Sequence, residues 1–425
     1  MARLPLEGIR VIDSGDIWAT PYGCSQLADY GAEVIRIENT RRMSNRGNSL
    51  NPPPGSPGMV DKEPGERPWE RVAGFNNANR NQLGVTLDLT QSEGVALYKR
   101  LVEVSDILVE NYATGVIDRL GLGYEVLKEV NPGLIMISMP LFGSTGPYKN
   151  YRGMGSTADP LSGHTALRCY EDGDPSMIGQ TVHSDAVSAN MVVFLSLMAL
   201  HHRRRSGKGQ WIDFSQCEGF MPLLGEAIMD YTMNGRVAES KGNRHDSWAP
   251  HSAYRCKGDD RWVTIACTND EEWAALVAVI GSPAWAFEAR FGDSLNRWRN
   301  QKELDTLITE WTEQRDHYEV MHTLQAAGVP SGAVLDYKEV FEDPHIQHTG
   351  FFEEVTKKWC GTHLYPGMAW KLTKTPGSIR RPAPSLGEHN GYILGEILGL
   401  TEEELVHLEA KNVIGTTYLE GADET

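Results

Sequence analysis

The chain has none of the glycine-rich fingerprints of nucleotide-cofactor proteins. The turn after its first strand pattern, residues 14–20 (SGDIWAT), contains no GxGxxG, and no GxxxxGK[ST] loop occurs. NAD, FAD and phosphate-loop nucleotides are therefore disfavoured. Cysteine is scarce: Cys24, Cys169, Cys217, Cys256, Cys267 and Cys360 are scattered, with no CxxC and no Cys/His ligand spacing. That pattern suits free thiols in a reducing cytoplasm. HExxH is absent too, and adjacent His201 and His202 point to different sides of a helix, so no metal site is expected. Positive charge is in deficit, 40 basic against 57 acidic residues for a net −17, which argues against bulk binding to nucleic acid or anionic membrane. One long apolar run exists, residues 186–200, but it holds Ser188, Asn190 and Ser196 and is short for a bilayer. It reads as a buried helix, and no membrane partner is expected. The start, MARLP, leads directly into a strand pattern without a signal-peptide signature, which points to a cytoplasmic protein.

What is present is an α/β rhythm. At 425 residues the chain is long enough for two domains. Residues 8–13, a helix at 21–30 and residues 32–38 (AEVIRIE) read as a βαβ opening. Residues 39–74, rich in Pro, Gly, Arg and Asn, read as a long loop that contributes no core element. A strand at 83–87, a helix at 92–104 capped by Thr90, a strand at 106–110, a helix near 124–130 and a strand at 134–139 follow. The alternation predicts a Rossmann-like, mostly parallel sheet with helices on both faces. From about residue 249 the pattern becomes α+β: a hairpin at 251–256 and 262–267, helices near 270–280 and 302–327, and a strand at 333–335. A Pro-punctuated tail ends in a helix pair near 390–411.

The densest stretch is 175–215. Val187, Met191, Phe194, Met198 and His201 recur at helical spacing, residues 203–205 are three arginines suited to a helix carboxyl end, and Gly207 is a natural stop. Asp185, at the mouth of this helix, reads first as an N-cap and alternatively as a nucleophilic carboxylate aimed into a cleft. Glu110, Asn111 and Tyr112 lie just past a strand end, where open α/β sheets bind ligands, although an Asn there also suits a simple loop. Arg119 reads as a solvated helix residue or a phosphate partner. Residues 153–162 (GMGSTADPLS) could line a pocket or only form a loop. His164, His183 and His251 read as structural.

In combination these segments resemble the class III CoA-transferase family, which includes formyl-CoA, carnitine and benzylsuccinate CoA-transferases. The resemblance is carried by residues 6–13 (LEGIRVID), 31–38 (GAEVIRIE), 87–89 (LDL), 109–112 (VENY), 118–121 (DRLG), Asp185, 205–210 (RSGKGQ), 328–332 (GVPSG) and 386–389 (LGEH). It implies an interlocked-ring dimer, with itself or with a related subunit. The large CoA-binding domain would comprise residues 1–225 and the returning segment 346–425, with a small α+β domain at 226–345. It implies Asp185 as the nucleophile, acting through an aspartyl anhydride and an aspartyl-CoA thioester, with backbone N–H groups holding the oxyanions. Coenzyme A would contact Trp18, Ala19, Leu87, Thr90, Asn111, Tyr112, Ala113 and Arg119, with Arg119 on a phosphate. Acyl-CoA and a carboxylic acid would be the substrates, without a tightly bound cofactor or metal.

Some positions depart from the family pattern. Asn39 replaces an arginine of formyl-CoA transferase, for which Arg41 or Arg42 can substitute, and Gln82 and Leu83 replace basic residues. The glycine-run flap is absent, leaving Lys241 to His245 near that point, which argues against a formyl or oxalyl acid. Trp18 and Trp248 lean towards a bulky, benzylsuccinate-like acid with succinyl-CoA as donor. Two alternatives stand beside this reading. One is a non-catalytic CoA-binding subunit. The other is a racemase of the α-methylacyl-CoA type, which needs a histidine base where this chain has Met154.

Overall fold

Six short strands form one parallel sheet: β1 (Arg10–Asp13), β2 (Glu33–Glu38), β3 (Leu83–Thr86), β4 (Ile107–Glu110), β5 (Ile135–Ser138) and β6 (Gln210–Asp213). Their order is β3-β2-β1-β4-β5-β6, with Ile12 level with Ile35 on one side and Leu108 on the other. The computed structural model describes residues 3–173, 176, 178, 179 and 182–423; Met1, Ala2 and, within the 175–215 stretch, Pro175, Met177, Gln180 and Thr181 lie outside the described residues.

Both faces of the sheet are covered, which is why the central strands β4 (ILVE) and β5 (IMIS) read as near-continuous apolar runs. Alternate residues serve alternate faces. Ile12, Ile35, Leu108 and Met136 pack with Leu97 and Leu101 of α3 (Ser92–Glu103) and with Ile393 and Leu394 of the tail. Val11, Val34, Ile107 and Ile135 pack with Leu27 of α1 (Ala19–Asp29) and with Val192 and Ala199 of a long helix, Asp185's helix. Each such fully buried side chain contributes roughly 1.5–3 kcal/mol.

Between the strands lie α2 (Ala73–Ala78), α4 (Val116–Arg119), α5 (Tyr124–Val130), α6 (Gly155–Leu161), α7 (His164–Leu167), the long α8 (His183–Ser206), α9 (Gln216–Phe220) and α10 (Gly225–Asn234). By length and composition α8 could cross a membrane. Here Ser184, Ser188, Ala189, Val192, Ser196, Ala199 and Leu200 form its buried face, while Phe194, Leu197 and Met198 remain exposed, so the expected buried helix is buried on one face only. Gly207 ends α8 in the left-handed region (φ 72°), as expected.

The chain divides into two compact units: residues 3–164, 182–228 and 348–423 form one, and 165–173, 176, 178, 179 and 229–347 the other. The second holds an antiparallel sheet, β7 (His251–Arg255), β8 (Trp262–Ala266) and β9 (Ser331–Val334), which includes the expected hairpin. Around it lie α11 (Asp270–Val279), α12 (Ser294–Arg299), α13 (Gln301–Thr312), α14 (His317–Ala326) and α15 (Tyr337–Glu342). The single helix read over 302–327 is two, α13 and α14. Asp316 starts the second by accepting the amides of Tyr318 and Glu319. In the first unit, β10 (Phe352–Lys357) and β11 (Gly361–Pro366) form a hairpin that the Pro-rich tail did not suggest.

Two further expectations are corrected. Thr90 does not cap α3: its backbone N–H and hydroxyl both go to Asp88 Oδ1, and Gln91 occupies the cap position without a side-chain bond. Residues 39–74, though irregular, do enter the core. Arg46 and Glu70 are fully buried, and Arg46 pairs with Glu38 at 2.6 Å and Glu70 at 2.9 Å. A buried guanidinium is tolerated there because each charge has its partner and further hydrogen bonds.

Candidate active site

Strand order reverses between β1 and β4, and ligands of open α/β sheets bind beyond the strand ends at such a switch point. The loops leaving these two strands meet there through Asn111, whose Oδ1 accepts from Asp16 N (2.6 Å) while its Nδ2 donates to Asp16 O (3.0 Å). The anticipated loop Asn is thus a clasp between two loops. Tyr112 N donates to Glu110 at 2.8 Å, and Tyr112 lines a small cleft with Gly15, Asp16, Asn39 and Arg42. Burial pushes Glu110 up to about 7 against the Ser138 and Tyr112 hydrogen bonds.

The remaining proposed CoA contacts sit around this end. Trp18 is the N-cap residue of α1 and stacks on Tyr22 (4.7 Å between ring centroids); Ala19 begins the helix, buried. Leu87, buried, donates its N–H to Glu38 O at 2.7 Å, while Thr90 is exposed. Ala113 lines a cavity of about 280 Å³ with Glu110, Tyr112 and Trp211, and Arg119 is exposed at the end of α4. Arg41 and Arg42 both reach carboxylates here, Asp88 at 2.7 Å and Asp16 at 3.6 Å. A larger cavity, about 900 Å³, lies at the opposite, amino-terminal end of β2 and β3 beside Arg380, Arg381 and His389. The switch-point argument concerns the carboxyl ends, so size does not make that cavity the site.

Asp185 reaches the same end of the sheet through α8. Arg203, near the end of α8, pairs with Asp106 just before β4 (2.6 Å), at the amino-terminal edge. The helix runs back from there to Asp185, about 27 Å away. Along it lies α1, close enough that a Cβ on Gly23 would meet Ala189 O at 2.6 Å, with Gln26 Nε2 donating to Asn190 Oδ1 at 3.4 Å. The two helices run parallel, so the first turns carrying Ala19 and Asp185 lie at the same end of the pair.

Asp185 is not the N-cap. It is the third residue of α8, after His183 and Ser184, and the cap position is Val182 without a side-chain bond. The capping acceptor comes from α6: Asp159 Oδ2 accepts from His183 N (3.2 Å) and Oδ1 from Ser184 N (3.0 Å). The Asp185 carboxylate faces the start of α6, where a Cβ on Gly155 would stand 2.2 Å from its Oδ2. Only glycine leaves that space open. Burial, and then the charge of Asp159, raise Asp185 from the ordinary value near 3.8 to about 6. At neutral pH it is an ionised carboxylate with enhanced basicity, suited to attack a carbonyl.

Asp159 and Gly155 are the residues that sequence reading missed. Both lie in the 153–162 segment of small residues, and the one legible signal was an acidic residue inside it. His164 and His183 flank Asp159, their Nδ1 atoms 3.8 and 3.7 Å from its Oδ2. Asp159, His164 and His183 are within metal-ligand reach of one another, and both Asp159 oxygens also accept helix amides.

The profile of CoA-transferase family III matches residues 6–390. The chain belongs to that family. A succinyl-CoA–D-citramalate CoA-transferase of Chloroflexus aurantiacus is 35% identical over 411 residues, covering 96% of this chain and 98% of that protein. The beta subunit of a succinyl-CoA–L-malate CoA-transferase from the same organism is 31% identical, covering 97% and 98%. Among solved structures, a CAIB/BAIF family protein from Brucella suis superposes with a TM-score of 0.82 at 29% identity, covering 93% of this chain and all of that one. The chain is a family III CoA-transferase, and its mixed α/β architecture with a six-stranded parallel sheet is the one expected.

Proposed function

We propose that this enzyme transfers CoA from succinyl-CoA to a dicarboxylic acid through covalent intermediates on Asp185. The observation that carries this reading is the Asp185 carboxylate itself, desolvated, raised to about 6 and given open space by Gly155. Asp185 attacks the donor thioester carbonyl; the C–S bond breaks, leaving a mixed anhydride and CoA thiolate. The thiolate attacks the aspartyl carbonyl, releasing succinate and forming an aspartyl-CoA thioester. The acceptor carboxylate attacks this thioester, releasing thiolate and forming a second anhydride. Thiolate attack on its acceptor carbonyl yields the new acyl-CoA and frees Asp185. Every step exchanges one activated acyl bond for another, so the thioester energy is conserved. Coenzyme A enters as substrate, held by the loops joined at Asn111.

The acceptor reading follows the relatives, which act on D-citramalate and L-malate. Trp18 stacks on Tyr22 and Trp248 on His245, so both indoles that suggested a bulky acid already have ring partners, which favours a small dicarboxylate. Met154, next to Gly155, offers no transferable proton for racemisation. The relative named as a beta subunit supports a second reading, in which this chain works with an unlike partner as an interlocked dimer.

Asp185→Ala is expected to abolish transfer with circular dichroism unchanged. The wild-type chain given succinyl-CoA alone is expected to acquire a CoA adduct on the Asp185 peptide by mass spectrometry. A variant that still transfers CoA overturns the mechanism; an inactive wild-type chain that gains activity with a second subunit establishes the heteromer.

A further inference from the structure

Asp159 is nearly fully buried, yet nothing in the family assignment gives it a task. Its two oxygens take the first two amides of α8, His183 N and Ser184 N, one residue short of Asp185. Its own helix is pinned to the same turn a second time, because Ser184 Oγ donates to Gly155 O at 3.4 Å. The same helix therefore supplies the glycine that makes room for the Asp185 carboxylate and the aspartate that fixes the turn carrying it. A second negative charge so close to a nucleophilic carboxylate is costly as a structural device alone, since an uncharged Ser, Thr or Asn caps a helix as well.

We propose that Asp159 is the positioning residue of the reaction: it sets both the place of Asp185, through the α8 amides, and its basicity, through its charge. This rests on Asp185 being the nucleophile. The charge acts in the direction already seen at Asp185, where Asp159 adds to the rise caused by burial. Among the described residues, these groups face the pair. His164 and His183 lie beside the Asp159 carboxylate and oppose its charge only when protonated. From α9, Cys217 Sγ donates to Ala158 O, next to Asp159, and Glu218 follows it in sequence. From α1, Gly23 and the uncharged Gln26 pack against α8.

Two substitutions separate charge from position. Asp159→Asn removes the charge and keeps one of the two acceptors; Asp159→Glu keeps the charge and displaces both. For the Asn variant, the acid limb of the kcat/KM profile with succinyl-CoA is expected to move down by about one pH unit, the size of a close like-charge effect. For the Glu variant, kcat is expected to fall roughly tenfold or more, as for a misplaced reacting group, with the limb unmoved. Isotope-edited infrared titration of the Asp185 carboxyl, taken as the difference from Asp185→Asn, reads the same shift without turnover and serves if the Asn variant is inactive. Asp159 is only structural if both variants lower kcat alike while the limb and the infrared titration stay at the wild-type position. An active Asp185→Ala enzyme would instead remove the nucleophile reading itself, whatever Asp159 does.

Discussion

Asp185 is held in a protonation state that the fold opposes. A carboxyl raised from about 3.8 to about 6 stabilises the folded chain most below its unfolded value, and that contribution is lost as pH rises through 6. At pH 7–8 the ionised group therefore costs on the order of 3 kcal/mol relative to an unperturbed one. Asp185→Asn is expected to unfold at higher temperature than wild type at pH 8, with the gain shrinking towards zero near pH 4. Thermal melts across that range check it, and a gain independent of pH contradicts it. Much of this site was legible as residue types, since Asp185, Asn111 and Tyr112 stood out in the sequence. The partners were not. Asp159 lies 26 positions from Asp185, and no local spacing reveals that a carboxylate on one helix caps another.

At the scale of elements, the strands were readable because burial on both faces leaves β4 (ILVE) and β5 (IMIS) mostly apolar, and because β1 and β2 carry adjacent apolar pairs, Val11-Ile12 and Val34-Ile35, between charged residues. The short helices α6, α7 and α9 were not, because four to seven residues give no helical period to detect. The α13–α14 boundary shows a different failure: residues 313–316 (EQRD) are as compatible with the polar face of a helix as with a break, and the capping geometry of Asp316 decides it. Asp316→Ala is expected to destabilise the second unit by about 1 kcal/mol, the usual value of an N-cap. Denaturant melts followed by fluorescence of the tryptophans there, such as Trp273 and Trp311, read that loss. Arg46 and Glu70 were hidden for a further reason. Charged residues in a Pro- and Gly-rich segment look solvated, and their burial depends on Glu38 at the end of β2 and on Lys357, remote in sequence.

Across the whole molecule, the first unit is completed by its last segment. Gly84 N donates to His389 Nδ1, Thr86 N to Asn390 Oδ1 and Asp88 N to Val413 O. Ile393, Leu394 and Ile414 close one face of the sheet. A chain ending at residue 383 is expected to lose this face, to express as insoluble protein and to bind no CoA on affinity resin. Soluble, CoA-binding protein from that truncation would show that the tail is dispensable.

The late arrival of those residues also sets the order of events at the ribosome. Strands β1 to β6 emerge with one face bare while nearly two hundred further residues are still being translated, including most of the second unit. The sheet therefore closes only after residues 393 and 394 have emerged, and until then the apolar surface that will meet Ile393 and Leu394 must be shielded from other nascent chains. Slow closure by distant contacts makes such a surface prone to aggregation, so recombinant yield should depend on chaperone supply and growth temperature more than on the stability of the finished enzyme.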